Sequence, residues 1–248
     1  MTDFARYTDA SLAAFRFNPK SQDSVAKKQE ILDNIYGYHN FIPSTVLFMG
    51  FNPVILSCKA KKICVSDVSL DTRAFLNAKG VKYEYIPHEE LHSYTKSFDV
   101  VVALDEYFTF VCSDSRQQEL VKEICSLAKE MVISTLRDYK NQDYKDREFS
   151  IPAVVRNGDQ NHIFTEFHDW DMSDRNAWNT MVYEIANPDN SLTTYGVFDR
   201  RTMYFKQLAK FSADAGAVGF TVHKNLMYKS LIKKNYEHVI SIRFDNGY

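Results

Sequence analysis

The stretch from Ser44 to Asp67, STVLFMGFNPVILSCKAKKICVSD, constrains the fold more than any other part of the chain. Val46, Leu47, Phe48 and Met49 form an unbroken apolar run, with Pro43 and Ser44 before it and Gly50, Asn52 and Pro53 after it. So short and so apolar a run reads as a strand buried on both faces, which is the mark of a parallel sheet covered by helices. Seventeen residues past Gly50, a second run of Ile63, Cys64 and Val65 leads to Asp67. An acid near that distance, at the tip of a second strand, is what a ribose-binding α/β half requires.

The flanking sequence supports the same architecture. Val25, Ile31, Leu32, Ile35 and Tyr36 fall on one face of a helix over 21–38, with Gly37 near its end. Ser69 can cap a helix reaching about Ala78, and Asp71 in its first turn suits the helix dipole. Val81 to Ile86 reads as a third strand. FDVVVAL, from Phe98 to Leu104, is the clearest strand in the chain and ends at Asp105 and Glu106. Ser115 to Gln118 has the form of a capping box before a stripe of Leu120, Val121, Ile124 and Leu127, and Met131 to Ser134 follows as a short fifth strand.

Outside this alternation the sequence changes character. Residues 1–20 are polar with scattered Phe4, Tyr7, Phe15 and Phe17, and read as an arm lying on the body; 1–43 is thus an arm followed by a covering helix. Over 136–198 the segment is polar and aromatic, with strand-like pieces at His162 to Phe167 and Met181 to Ile185, as expected of an insertion rising from the sheet edge. A helix around Arg200 to Ala213 and a strand from Gly219 resume the pattern. The last strand, Tyr236 to Phe244, follows a linker too short for a crossover helix and must pair antiparallel. The expected fold class is α/β: one domain over 1–248, an open, mostly parallel, doubly wound sheet of about seven strands with an antiparallel C-terminal strand and an inserted lid at 136–198.

Composition narrows the partners little. Thirty basic residues against 32 acidic ones supply no global field for nucleic acid or an anionic membrane, so neither is indicated. Cys58, Cys64, Cys112 and Cys125 have no CxxC spacing, and the chain has neither a signal-peptide core nor a run of roughly 20 apolar residues. A soluble protein of a reducing, cytoplasmic compartment is expected.

The densest set of reactive side chains is HIFTEFHDWD, from His162 to Asp171. On a regular strand His162, Phe164, Glu166 and His168 would share a face and mimic a two-His-one-carboxylate metal set. An edge strand with a polar outer face explains the same residues, and no metal is expected. His168, Asp169 and Trp170 are candidates for substrate contact, because a polar, aromatic insertion above a strand-end site suits a lid. Arg200, Arg201, Lys224, Lys229, Lys233 and Lys234 read as solvated surface.

A parallel α/β sheet closed by an antiparallel hairpin strand resembles the class I S-adenosylmethionine-dependent methyltransferases, over about residues 44–135 and 199–244. VLFMGFNPV lies where that family has an apolar strand, an acid and a GxGxG loop. Only Gly50 stays in register; Phe48 replaces the acid, while Asn52 and Val54 stand at the later glycines. Asn readily accepts a left-handed backbone, so the turn remains feasible. Ser66 to Ser69 is similar to the segment whose acid receives the ribose hydroxyls, the role implied for Asp67.

The resemblance implies a cofactor, S-adenosylmethionine, contacted by Gly50, Phe51, Asn52, Asp67, Val68, His88, Glu89, Leu104 and Asp105. His88 and Glu89 match the adenine side, and Leu104 with Asp105 and Glu106 the segment facing the acceptor. Asp105 and His168 become candidates for acceptor-side proton handling. The acceptor, small molecule or macromolecule, is not named by these motifs, and the Asn-Pro-Pro-Tyr signature of amino-group nucleic-acid methyltransferases is absent. Two rivals remain: a noncatalytic binding or scaffold protein, favoured by the altered glycine loop, and a nicotinamide oxidoreductase, opposed by the missing GxGxxG and the antiparallel last strand.

Overall fold

The computed structural model describes residues 3–17, 24–111, 113–138, 147–149, 153–170, 177–186, 189, 191–194, 197–229 and 236–245. Helices α1 (Asp3–Phe17) and α2 (Ser24–Tyr38) lead into β1 (Thr45–Met49) and β2 (Lys62–Ser66). Helix α3 (Leu70–Ala78), β3 (Glu84–Tyr85), β4 (Phe98–Ala103), α4 (Asp114–Leu127) and β5 (Ala128–Leu136) follow. The inserted strands are β6 (Arg147–Phe149), β7 (Ala153–Asn157), β8 (Gln160–Trp170), β9 (Ala177–Ala186), β10 (Leu192–Thr194) and β11 (Val197–Arg201). Helix α5 (Phe205–Asp214) and strands β12 (Gly219–Lys229) and β13 (Tyr236–Arg243) complete the chain.

The main sheet has seven strands in the order β12-β13-β5-β4-β1-β2-β3. Strands β1 to β5 run parallel, and β13 is antiparallel to both β5 and β12. The alternation of each strand feeds two separate cores. Leu47, Val101 and Val132 point to the face covered by α4 and α5, while Val46, Phe48, Val100 and Val102 point to the face covered by α2 and α3. Burial on both faces is why β1 reads as a continuous apolar run rather than an alternating one.

Several local expectations are corrected. Within the stretch read as an arm lying on the body, residues 3–17 form a regular helix, with Phe4, Tyr7, Leu12 and Phe15 buried along it. The β-α-β-α-β-α-β-α-β order expected up to Thr135 implies a helix at each crossover, but that from β1 to β2 holds only a 3-10 turn over Pro53–Leu56 and that from β3 to β4 a 3-10 segment over His88–Tyr94. Helix α4 begins two residues earlier than the Ser115 box implies: Ser113 Oγ accepts from the Arg116 amide at 3.2 Å. Strand β5 continues to Leu136 because β13 pairs along it from Met131 to Leu136.

The insertion is a second, antiparallel sheet of six strands rather than two isolated pieces. Its β7–β8 hairpin turns on Gly158 and Asp159, and Gly158 at φ +60° takes the left-handed backbone that a two-residue hairpin needs at that position. Arg200 belongs to β11 rather than to a helix, and α5 starts five residues later. Among the described residues no helix is long and apolar enough to cross a membrane.

Candidate cofactor and acceptor site

Strands β1 and β4 are neighbours, yet the chain leaves β1 toward β2 on one side and β4 toward β5 on the other. A crevice must open at the carboxyl ends of such a pair, and in open α/β sheets this is where ligands bind. Gly50 makes the bend out of β1 at φ +73°, its amide donating to the Ser66 carbonyl at 2.7 Å. Asn52 does not supply the glycine-like backbone expected of it. Its φ of −135° is extended, and its side chain caps the 3-10 turn by accepting from the Val54 amide at 3.2 Å. Phe51 packs between Phe15 and Phe75, and Leu104 is buried in the core on that same face of the sheet.

Beyond β2 and β3 the crevice opens into a cavity of about 680 Å³, lined by Asp67, Val68, Tyr85, His88 and Glu89 and roofed by Ala5 and Asp9 of α1. Asp67 leaves β2 in the left-handed region at φ +55°, which turns its carboxylate toward β4. Its Oδ2 accepts from the Tyr107 hydroxyl at 2.8 Å and lies 3.4 Å from His88 Nδ1. The Asp67 carboxylate raises the His88 pKa above its ordinary value against the cost of burial. Burial, with the Asp67 charge adding to it, holds Tyr107 well above the usual phenol range, so it stays a neutral donor. The Arg73 guanidinium stacks over Tyr85 at 4.2 Å, leaving an aromatic wall beside His88.

A second constellation straddles the switch point itself. The Tyr228 hydroxyl accepts from Asn52 Nδ2 at 2.7 Å and from Lys28 Nζ at 3.2 Å, and donates to Asp105 Oδ2 at 3.1 Å. All four side chains are buried. Asp105 Oδ1 has no hydrogen-bond partner among the described residues. Burial lowers the Lys28 pKa to about 8, opposed by the Asp105 and Glu237 charges. Glu237 in turn accepts from the Thr135 hydroxyl on β5.

Glu106 is fully buried between two guanidinium groups. Arg200 Nη2 donates to its carboxylate at 3.1 Å, Arg137 Nε lies 3.3 Å away, and the Arg137 amide donates to its other oxygen at 3.3 Å. Arg200 is only 1% exposed, which corrects its reading as surface charge; it also bonds Thr109 at 2.9 Å and lies over the Phe110 ring at 4.2 Å.

The bend at Gly50, where the resemblance implies the methionine end of a cofactor, is covered by α1. A Cβ placed on Gly50 would meet Phe4 Cε1 at 2.4 Å and Thr8 Cγ2 at 2.5 Å. The Phe4 ring lies edge-on to Tyr107 at 4.5 Å and to Phe110 at 4.9 Å.

His168 sits on β8 in register with Thr180 and Glu148, and its side chain, like those of Glu166, Asp169 and Trp170, lies outside what the structure describes. A register shift between Phe164 and Phe167 interrupts the alternation that a shared face of His162, Phe164, Glu166 and His168 requires. Lys229, Lys233 and Lys234 also fall, wholly or by side chain, outside the described residues.

Sequence reading missed Tyr107, Tyr228, Lys28, Tyr85 and Asp9. Their only sequence signal is a phenol, amine or acid within otherwise apolar or helical segments, a pattern equally common in ordinary cores.

No protein-family model matches the chain, and no curated protein sequence matches it. Solved structures do. The chain superposes on DesVI of Streptomyces venezuelae with a TM-score of 0.69 at 12% identity, covering 96% of this chain and 98% of that one. CalS10, an amino pentose methyltransferase of Micromonospora echinaspora, gives 0.65 at 10% identity over 94% and 95%. KedS8, a sugar N-methyltransferase of a Streptoalloteichus species, gives 0.61 at 10% identity over 82% and 81%. At such identities the likeness is one of fold, and the fold is that of the class I S-adenosylmethionine-dependent methyltransferases.

Proposed function

We propose that the chain is an S-adenosylmethionine-dependent methyltransferase acting on a small polar acceptor that carries an amine or hydroxyl. The observation that carries the reading is Asp67, turned out of β2 at the wall of an open cavity with His88, Glu89 and Tyr85 beside it. A carboxylate at that strand tip accepts two ribose hydroxyls, and Tyr85, His88 and Glu89 offer a face and polar edges for the base. Bound there, the cofactor supplies an electrophilic methyl on a sulfonium. The residues left to the protein are those that orient the acceptor and take its proton.

Asp105 is suited to that task. It lies at the end of β4, its Oδ2 is held by Tyr228, and Oδ1 keeps acceptor capacity. An ammonium or hydroxyl at Oδ1 would be oriented by the carboxylate: an ammonium would first give it a proton to free the nitrogen lone pair, and a hydroxyl would lose its proton to it as the oxygen attacks the methyl carbon, the carbon–sulfur bond breaking to leave the thioether. The amino-sugar and sugar-nitrogen acceptors of CalS10 and KedS8 support an amine. The inserted sheet, rooted at Glu106 beside Asp105, is assigned as the lid, and His168 on its longest strand remains the second candidate for acceptor contact.

Two observations favour a noncatalytic binding protein instead: Phe4 and Thr8 lie against Gly50, and the chain after it forms a 3-10 turn rather than a helix. Calorimetric titration with S-adenosylmethionine, S-adenosylhomocysteine and NAD decides between them. Binding of the first two, abolished in Asp67→Ala, is expected; silence toward all three leaves the scaffold reading, and NAD alone would indicate an oxidoreductase.

A further inference from the structure

We propose that helix α1 is a built-in occupant of the cofactor site, with Phe4 seated on the Gly50 bend, so that the cofactor binds only when the start of α1 swings away. The inference rests on the cofactor reading above and adds a regulatory step to it.

Three contacts define the plug. The first is steric: Phe4 and Thr8 are in direct contact with Gly50, the one surviving glycine of the bend, and the ring is 4% exposed. A methionine arm laid on that bend needs the same volume. The second is shared chemistry. Tyr107 supports the Phe4 ring edge-on at 4.5 Å and spends its hydroxyl on Asp67 at 2.8 Å. Removing Phe4 therefore unsupports the side chain that occupies the ribose carboxylate, and a ribose hydroxyl on Asp67 loosens the platform under Phe4. The two halves of the site are coupled through one phenol.

The third contact is a latch. Asp9 Oδ1 accepts from Ser69 Oγ at 2.5 Å and from Thr72 Oγ1 at 3.2 Å, at the first turn of α3. Among the described residues two hydroxyls and no cation hold this carboxylate, while burial and the nearby Asp71 both raise its pKa. Both contacts are hydroxyl-to-carboxylate bonds, whose partners water can replace once the start of α1 lifts. The seam beneath α1 thus combines an aromatic plug with a releasable polar latch. Helix α1 also touches both α3 and β9 of the inserted sheet, so its displacement is felt by the element assigned as the lid.

In such a scheme the apparent affinity is the intrinsic affinity reduced by the fraction of chains with α1 undocked. Weakening the plug must tighten binding, the reverse of what a side chain contacting the ligand does. The test is calorimetric titration of the full chain with S-adenosylhomocysteine. Phe4→Ala, and independently Asp9→Ala, are expected to bind at least tenfold more tightly than wild type. Asp67→Ala added to either is expected to abolish the gain. Should Phe4→Ala fail to fold, Asp9→Ala and hydrogen exchange on the wild-type chain carry the same information: amides of 3–17 are expected to exchange faster with ligand bound. Equal or weaker binding by the variants, or protection of α1 retained in the complex, overturns the plug and leaves the cofactor reading intact. No binding by any of the proteins overturns both.

Discussion

Arg200 donates to the Glu106 carboxylate at 3.1 Å with both side chains fully buried, joining the end of β11 to the tip of β4. Arg137, where the chain leaves β5 for the insertion, approaches the same carboxylate. One acid therefore ties down both roots of the inserted sheet. Truncating one partner of a buried pair leaves the other desolvated, at a cost of about 3–5 kcal/mol. Arg137 compensates in part, so Arg200→Met is expected to lose about 3 kcal/mol in urea unfolding. Adding Glu106→Gln should cost less than the two single changes summed. A loss below about 1 kcal/mol for Arg200→Met would show that the insertion is held by something else.

Gly50→Ala tests the seat of α1. The backbone there is left-handed, and a methyl group would come within 2.4 Å of the Phe4 ring. Strain and overlap together are expected to destabilise by about 2–4 kcal/mol. Phe4→Ala removes the overlap but not the strain. The double variant should therefore be more stable than the two costs added, by about 1 kcal/mol or more in a double-mutant cycle. Strict additivity would place Phe4 elsewhere.

His88 provides a pH signature. Asp67 raises its folded pKa above the unfolded value near 6.5. The sign follows from linkage: the folded state holds the proton more tightly, so the contribution is fully present below 6.5 and is lost as pH rises through the folded value. NMR titration should find His88 above 6.5 in the wild type and lower in Asp67→Asn. An unchanged His88 titration would mean that the 3.4 Å contact carries no charge coupling.

Lys28 should behave in the opposite sense. Its folded pKa of about 8 lies below the unfolded 10.5, so over that interval the unfolded chain binds more protons and stability rises with pH. Between pH 8 and about 9.5 the contribution of Lys28 rises by about 1–2 kcal/mol. The thiols of Cys58, Cys64 and Cys125, held by burial above the ordinary thiol value, lower stability over the same interval in both proteins, so it is the urea midpoint of the wild type relative to that of Lys28→Met that should climb. Parallel curves for the two proteins would refute the burial of a titrating amine.

The sheet was legible because strand signals are local. An apolar run such as Val46 to Met49, or FDVVVAL, needs no knowledge of its neighbours to be read as a two-face-buried strand, and the short linker before β13 forces an antiparallel pairing. Gly50 and Asp67 were legible for the same reason, as a bend and an acid at strand ends. The insertion was visible as a break in rhythm but not as a six-stranded sheet. Edge pairings and the bulge between Phe164 and Phe167 depend on partners far along the chain.

What the sequence determined by itself is the succession of the seven strands of the main sheet and the placing of acids at strand tips, since those follow from periodicity and turn chemistry within a few residues. Whether an acid meets water, a guanidinium or a phenol was decided only in three dimensions. Glu106 and Asp105 are adjacent with the same backbone dihedral, φ +58°, yet one closes a buried ion pair with Arg200 and the other keeps an unoccupied oxygen beside Tyr228. Electrostatic environment is a sum over groups brought together from distant parts of the chain, and no local pattern contains that sum.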